Sequence, residues 1–297
     1  MRKFEISTDS NCDLYADEIK SLEVFVGHLN YTTEKDGDLK DNVDKFEDYQ
    51  QYVDFYNNLR NKVVAKTSIL SLQAHVDLFT DMAKKGVKNA LHIAQSKGLS
   101  PTIDNANKAI ELVKEEYPDI NYVAIQSNTT TCGEGMLVKV ACSMRDEGKS
   151  LEETKDYIEA IKNNVQHIVM VDDLQFLKRG GRISATSAVV GGLLKIKPII
   201  EFSKEGKLEV TRKEIGTKKA LLGMIKEFSN HTLNQKYPYV VIVHTDNMEL
   251  ATTLHNMLKE STGVEAEIRI MGPIIGAHVG PGAVALAYIS NEERPVW

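Results

Sequence analysis

The feature that most constrains this chain is an alternation repeated three times in its first half: a short apolar run, then small polar residues, then a helical pattern. Phe4 to Ser7 leads into TDSNCDL, Ala90 to Ala94 into QSKGLSPT, and Tyr122 to Gln126 into SNTTTCGEGM. Strands that alternate with helices build a parallel sheet, since each helix carries the chain back across the sheet face. In every repeat, hydroxyl and amide residues fall where a strand ends and a helix begins. Such side chains cap helices there, and open α/β sheets bind ligands there.

Between the first two runs lies a polar insertion, residues 31–60, which opens with turn formers and becomes a tyrosine-rich helical pattern, hence a hairpin followed by a helix. Apolar spacings of three and four predict further helices at about Leu72 to Lys85, Thr102 to Glu116, Gly133 to Glu147 and Leu151 to Asn164. From about His167 the pattern changes. Strands alternate through KPIIEFSKEGKLEVTRKEI with a hairpin turn at EGK, and helices are expected at Lys218 to Asn230 and Glu249 to Glu260. The strands YPYVVIVHT, EAEIRIM and GAVALAYIS complete the second half. The chain therefore reads as two mixed α/β domains, 1–165 with a mainly parallel sheet and 166–297 with a mixed sheet.

Composition narrows the function classes. With 42% hydrophobic and 26% charged residues the chain is an ordinary folded one. Its net charge of −6 argues against a nucleic-acid partner, which requires clustered cationic surplus. Cys12, Cys132 and Cys142 are odd in number and lack metal-ligand spacing, so no disulfide framework or zinc site is indicated and a reducing cytoplasm fits. The amino terminus has no apolar run before a small-residue cleavage site, so export by a signal peptide is not expected. The stretch GPIIGAHVGPGAVALAYIS has the length of a membrane span, yet it holds four glycines, two prolines and His278, and reads as strand, glycine-rich loop, strand. No P-loop, GxSxG elbow, HExxH or CxxC occurs, and the glycine pair of GGLLKIKPII is no dinucleotide fingerprint.

Four segments could carry chemistry. In VAKTSILS, Thr67 and Ser68 either cap the following helix or donate to an anion beside its free backbone N–H groups. In AQSKGLSPT, Ser100 is the expected helix cap before Pro101, which leaves Ser96 free for a ligand or without a role. In DDLQFLKRGGRIS, Arg182 beside paired glycines either steers an acidic group or belongs to a solvated basic turn. In MGPIIGAHVGPGAVALAY, the glycines Gly276, Gly280 and Gly282 allow close backbone approach, and His278 is the main group left to confer chemistry.

Taken together and in order, TDSNCDL, KTSILS, QSKGLSPT, DDLQFLKRGGRIS, KIKPII with EGKLEVTRK, VVIVHTDN and GPIIGAHVGPGAVALAY resemble the DegV family from Thr8 to Tyr288. The resemblance implies two mixed α/β domains with a long-chain fatty acid buried between them. Its carboxylate would be held by Thr67, Ser68, Ser96 and His278 on a loop supported by Gly276, Gly280 and Gly282. It further implies no cofactor and no catalysis by this chain alone, but presentation of the acyl carboxylate to a separate ATP-binding kinase subunit, with Arg182 and Arg212 on the phosphoryl-transfer or docking face. An apolar tunnel is worth roughly 0.8 kcal/mol per buried methylene, and the head group requires donors where water is scarce. Without a strong fixed cation beside it, the carboxylate would stay partly unneutralised and available for transfer. Many members have glutamine and proline where this chain has Ile69 and Leu70, and glycine where it has Pro101. Two alternatives stand beside this reading: a lipid carrier with no kinase partner, and an acyl hydrolase with Ser96 as nucleophile, His278 as base and Asp9 or Asp246 as orienter.

Overall fold

The structure is a computed structural model and describes residues 2–183 and 196–296. Ser184 of the GGRIS turn and the glycine pair Gly191 and Gly192 lie outside the described residues. The alternation in the first half builds a parallel four-stranded sheet from β1 (Glu5–Asp9), β2 (Phe25–Gly27), β6 (Asn89–Ala94) and β7 (Asn121–Gln126), in the order β2-β1-β6-β7. The polar insertion forms the hairpin β3 (Asn30–Lys35) and β4 (Asp38–Val43). With β5 (Val64–Thr67) it makes a small antiparallel sheet, order β4-β3-β5. The second half holds a six-stranded sheet of β8 (Val165–Met170), β9 (Ile196–Phe202), β10 (Leu208–Ile215), β11 (Val240–His244), β12 (Glu267–Ile270) and β13 (Val284–Ile289), in the order β10-β9-β8-β13-β11-β12. Only the β11–β12 pairing in that sheet is parallel.

Helices fill the spaces: α1 (Ala16–Leu22), α2 (Tyr49–Arg60), α3 (Leu72–Lys84), α4 (Thr102–Glu116), α5 (Thr131–Asp146), α6 (Leu151–Ile161), α7 (Gln175–Arg179), α8 (Thr217–Ser229), α9 (Met248–Thr262) and α10 (Pro273–Val279). Helix α5 is buried on nearly every side, its Glu134 and Arg145 included. It shares one core with Ile6 and Ile93 of the parallel sheet and Val169, Val243 and Ala285 of the six-stranded sheet. Period-two alternation sorts the larger sheet. Val169 pairs with Ala285 on the inner face, while Met170 and Val284, also paired, face the α8–α9 layer.

Two local expectations change. The expected strand at GPIIGAHV is helix α10: Gly272 is extended at the N-cap, Pro273 takes the first helical turn where its missing N–H costs nothing, and Gly280 ends the helix at φ +79°. Ser100 is not the cap of α4; Pro101 occupies that position with no side-chain cap. Among the described residues no helix is long and apolar enough to cross a membrane.

Candidate functional site

The inner face of the six-stranded sheet, just beyond the start of α5, leaves a cavity with roughly 870 Å³ of atom-free space, part of it open to solvent. Its wall is mostly aliphatic and aromatic, including Leu29, Val169, Ile200, Phe202, Ile274 and Ala285. These come from both halves of the chain. An elongated apolar molecule would fit this lining, and its polar end would have few places to go.

One such place is where β5 meets α10. The Thr67 hydroxyl lies 2.8 Å from His278 Nε2, and both side chains line the cavity. When Nε2 carries the proton it donates to the Thr67 oxygen, which leaves the hydroxyl proton to turn toward an incoming carboxylate. Burial, reinforced by the charges of Arg182 and Arg179, lowers His278 to about 4, so the ring is neutral near pH 7. Arg182 also lines the cavity. A fixed cation therefore does stand beside the histidine, contrary to the expectation of a carboxylate left without one. Arg182 also lines an adjoining cleft with Gly98, Leu99, Lys207 and Glu209, and among the described residues this end of the cavity is open to the outside.

Thr67 and Ser68 do not cap α3. Ser71 does, accepting from the Ala74 N–H, which leaves the two earlier hydroxyls to the cavity wall. Ser68 is exposed at that wall and donates its hydroxyl to the Asn30 carbonyl at 3.1 Å. The glycines act through packing. Gly276 lets α10 lie against α2, since a Cβ there would stand 2.3 Å from the Tyr56 hydroxyl, which donates to the Met271 carbonyl. Gly280 supplies the positive φ that turns the chain out of α10, and Gly282 follows in the turn to β13.

Two expected residues sit elsewhere. Ser96 is fully buried, donates to the Gly206 carbonyl at 2.8 Å and accepts from the Gly98 N–H at 3.1 Å. It is absent from the cavity lining and ties the first half to the β9–β10 turn. Arg212 points to the outer layer, where it pairs with Glu201 at 2.5 Å and with Glu227 of α8 at 2.8 Å. Arg212 therefore bridges two carboxylates on that layer and does not line the cavity.

Sequence reasoning missed Gln95, Thr130, Thr131 and His167, all of which line the cavity. The hydroxyl-rich ends of β6 and β7 carried a signal for the first three; nothing local marked His167. Its Nε2 lies 3.2 Å from the Thr129 hydroxyl, and burial lowers it to about 3. Thr131 adopts φ +51°, an uncommon conformation for a β-branched residue, at the point where α5 meets the cavity.

Fold and cavity together define a mixed α/β protein built around a largely apolar chamber with a cationic, hydroxyl-lined end. The sequence model of the DegV family, described as an uncharacterised protein family, matches residues 3–291. A DegV domain-containing protein of Clostridium perfringens is 33% identical over 296 residues, covering 99% of this chain and 100% of that one. Among solved structures, a DegV lipid-binding protein from Thermotoga maritima superposes with a TM-score of 0.83 at 26% identity, over 98% of this chain and 100% of that one. A fatty-acid-binding DegV family protein from Streptococcus agalactiae gives 0.80 at 27% identity, over 99% and 100%. This chain belongs to the DegV family.

Proposed function

We propose that this protein binds a long-chain fatty acid, with the acyl chain in the apolar cavity and the carboxylate at Thr67, His278 and Arg182, and presents that carboxylate to a separate ATP-dependent kinase subunit. The observation that carries the reading is the join of Thr67 to His278 at the wall of a largely apolar chamber. Ser68 supplies a further oxygen at the same wall, and the open cleft reached by Arg182 gives a partner access to the head group. Fatty acid binding in similar DegV proteins supports the ligand class. Presentation without catalysis rests on the absence of any nucleotide-binding motif in the sequence. The acyl-hydrolase alternative loses its constellation. Ser96 is engaged with Gly206, Asp246 with Arg60, and Asp9 lies beside other histidines.

The test is native mass spectrometry followed by solvent extraction, then incubation of the loaded protein with ATP and a DegV-partner kinase subunit. One equivalent of fatty acid and ATP-dependent acyl phosphate formation are expected. Binding without phosphorylation would leave a carrier, and a protein that stays empty when offered free fatty acids would overturn the ligand.

A further inference from the structure

A second cluster lies beneath the parallel sheet, apart from the cavity lining. Asp9 ends β1, His92 sits in the middle of β6, and His75 projects from α3; all three are buried, at 0%, 1% and 0% exposure. His92 Nε2 is 3.6 Å and His75 Nε2 3.9 Å from Asp9 Oδ1. One ligand atom from each residue falls within 4.8 Å of the others. Among the described residues, these same three atoms have no hydrogen-bond partner. Three buried polar atoms that converge on one point without partners call for an explanation, since each orphan costs about 1–3 kcal/mol.

The other edges of the rings show what they converge for. His75 Nδ1 lies 3.1 Å from the Ser71 carbonyl, which can only accept, so Nδ1 carries the proton and Nε2 presents a lone pair. His92 Nδ1 lies 3.0 Å from the Ser7 hydroxyl, which allows the same arrangement. Histidine ligands are commonly held this way, by an outer hydrogen bond that fixes tautomer and ring orientation. Phe79 packs edge-on to His92 and at a tilt to His75, which limits rotation of both rings.

The geometry points to a structural divalent transition-metal site, of the kind zinc or cobalt fills, with Asp9, His75 and His92 as its protein ligands. Two imidazoles and one carboxylate suit such ions and not calcium or magnesium, which take oxygen ligands. Bonds of about 2.0–2.2 Å require the three side chains to draw in slightly around the ion. No sequence motif announced the site because its ligands come from two strands and a helix. The ion would tie α3 to the parallel sheet, and α3 is the element whose first turn follows Thr67 and Ser68.

The test uses the full chain, stripped by dialysis against a chelator and titrated with Co2+ while its visible absorption is followed. One saturable equivalent, displaced by Zn2+ and accompanied by a rise in Tm, is expected. Asp9→Asn, His75→Gln and His92→Gln should each abolish the absorption, and Ser7→Ala should weaken binding by about 10–100-fold as an outer partner. Absence of a saturable equivalent in the wild-type protein overturns the proposal, whatever the variants do. So does cobalt binding that persists in His75→Gln and His92→Gln, which would place it at surface groups such as His255 and Glu265.

Discussion

Thr67 and His278 stand 211 positions apart in the chain and 2.8 Å apart in the fold, joined where the last strand of the small sheet meets the short helix α10. Removing either member should weaken fatty acid binding without unfolding the protein. A hydrogen bond to a charged group contributes about 1.5–3 kcal/mol, so Thr67→Val and His278→Ala should each raise Kd by roughly 10–100-fold. Isothermal titration with a long-chain fatty acid reads this directly, and unchanged Kd values in both variants would remove the pair from the head-group site.

Gly180 offers an independent route to the same ring. Its φ of −73° accepts any residue, but a Cβ there would stand 2.2 Å from His278 Nδ1. Gly180→Ala should push the imidazole away from Thr67 and reduce affinity as His278→Ala does. Overpacking of this kind lowers stability by about 1–3 kcal/mol, visible as a fall in Tm with unchanged far-UV circular dichroism.

Ser96→Ala should separate stability from binding. The substitution leaves the buried Gly206 carbonyl and Gly98 N–H without their shared partner, at a cost of about 1–3 kcal/mol in denaturant unfolding. Fatty acid affinity should stay within about twofold of wild type, below the tenfold that 1.4 kcal/mol represents. A large loss of affinity with normal stability would return Ser96 to the carboxylate site.

His278 also predicts an acid response. An unfolded histidine titrates near pH 6.5, whereas burial and then the neighbouring arginines hold the folded ring down to about 4. As pH falls from 6.5 toward 4 the unfolded chain takes up a proton that the folded chain refuses, so stability declines across that window. Below about 4 this decline is complete. Asp44, pushed up to about 6 by burial, opposes it in part, so the effect is read as a difference between proteins. Relative to wild type, His278→Gln should gain on the order of 3 kcal/mol between pH 7 and pH 4 in urea unfolding.

Much of this architecture was legible in local pattern. The alternation of apolar runs with helical spacing carried the parallel sheet and α3 to α6, and EGK correctly marked the β9–β10 hairpin. Helix α10 was misread because its glycines and paired isoleucines resemble a strand and loop. Proline at the first helical turn and glycine at its end were the cues that outweighed them. The packing of Ser96 and Arg212 was illegible for a different reason. Their partners, the Gly206 carbonyl and the carboxylates of Glu201 and Glu227, are set by tertiary packing, which no spacing rule reports. His167 was missed because strand alternation points it inward as it does any apolar neighbour.

The chamber draws its walls from both halves of the chain, and those halves are fastened at several places: Ser96 to Gly206, Tyr56 to Met271, and Arg294 to the Asn128 carbonyl. With the halves fastened there, the open cleft beside Arg182 is the passage that the described residues leave to an occupant. Loss into buffer then forfeits the burial of the acyl chain, roughly 0.8 kcal/mol per methylene. Cargo loaded in the cell would survive purification, and the acid carried by the isolated protein would be a record of the lipid pool in which it was made.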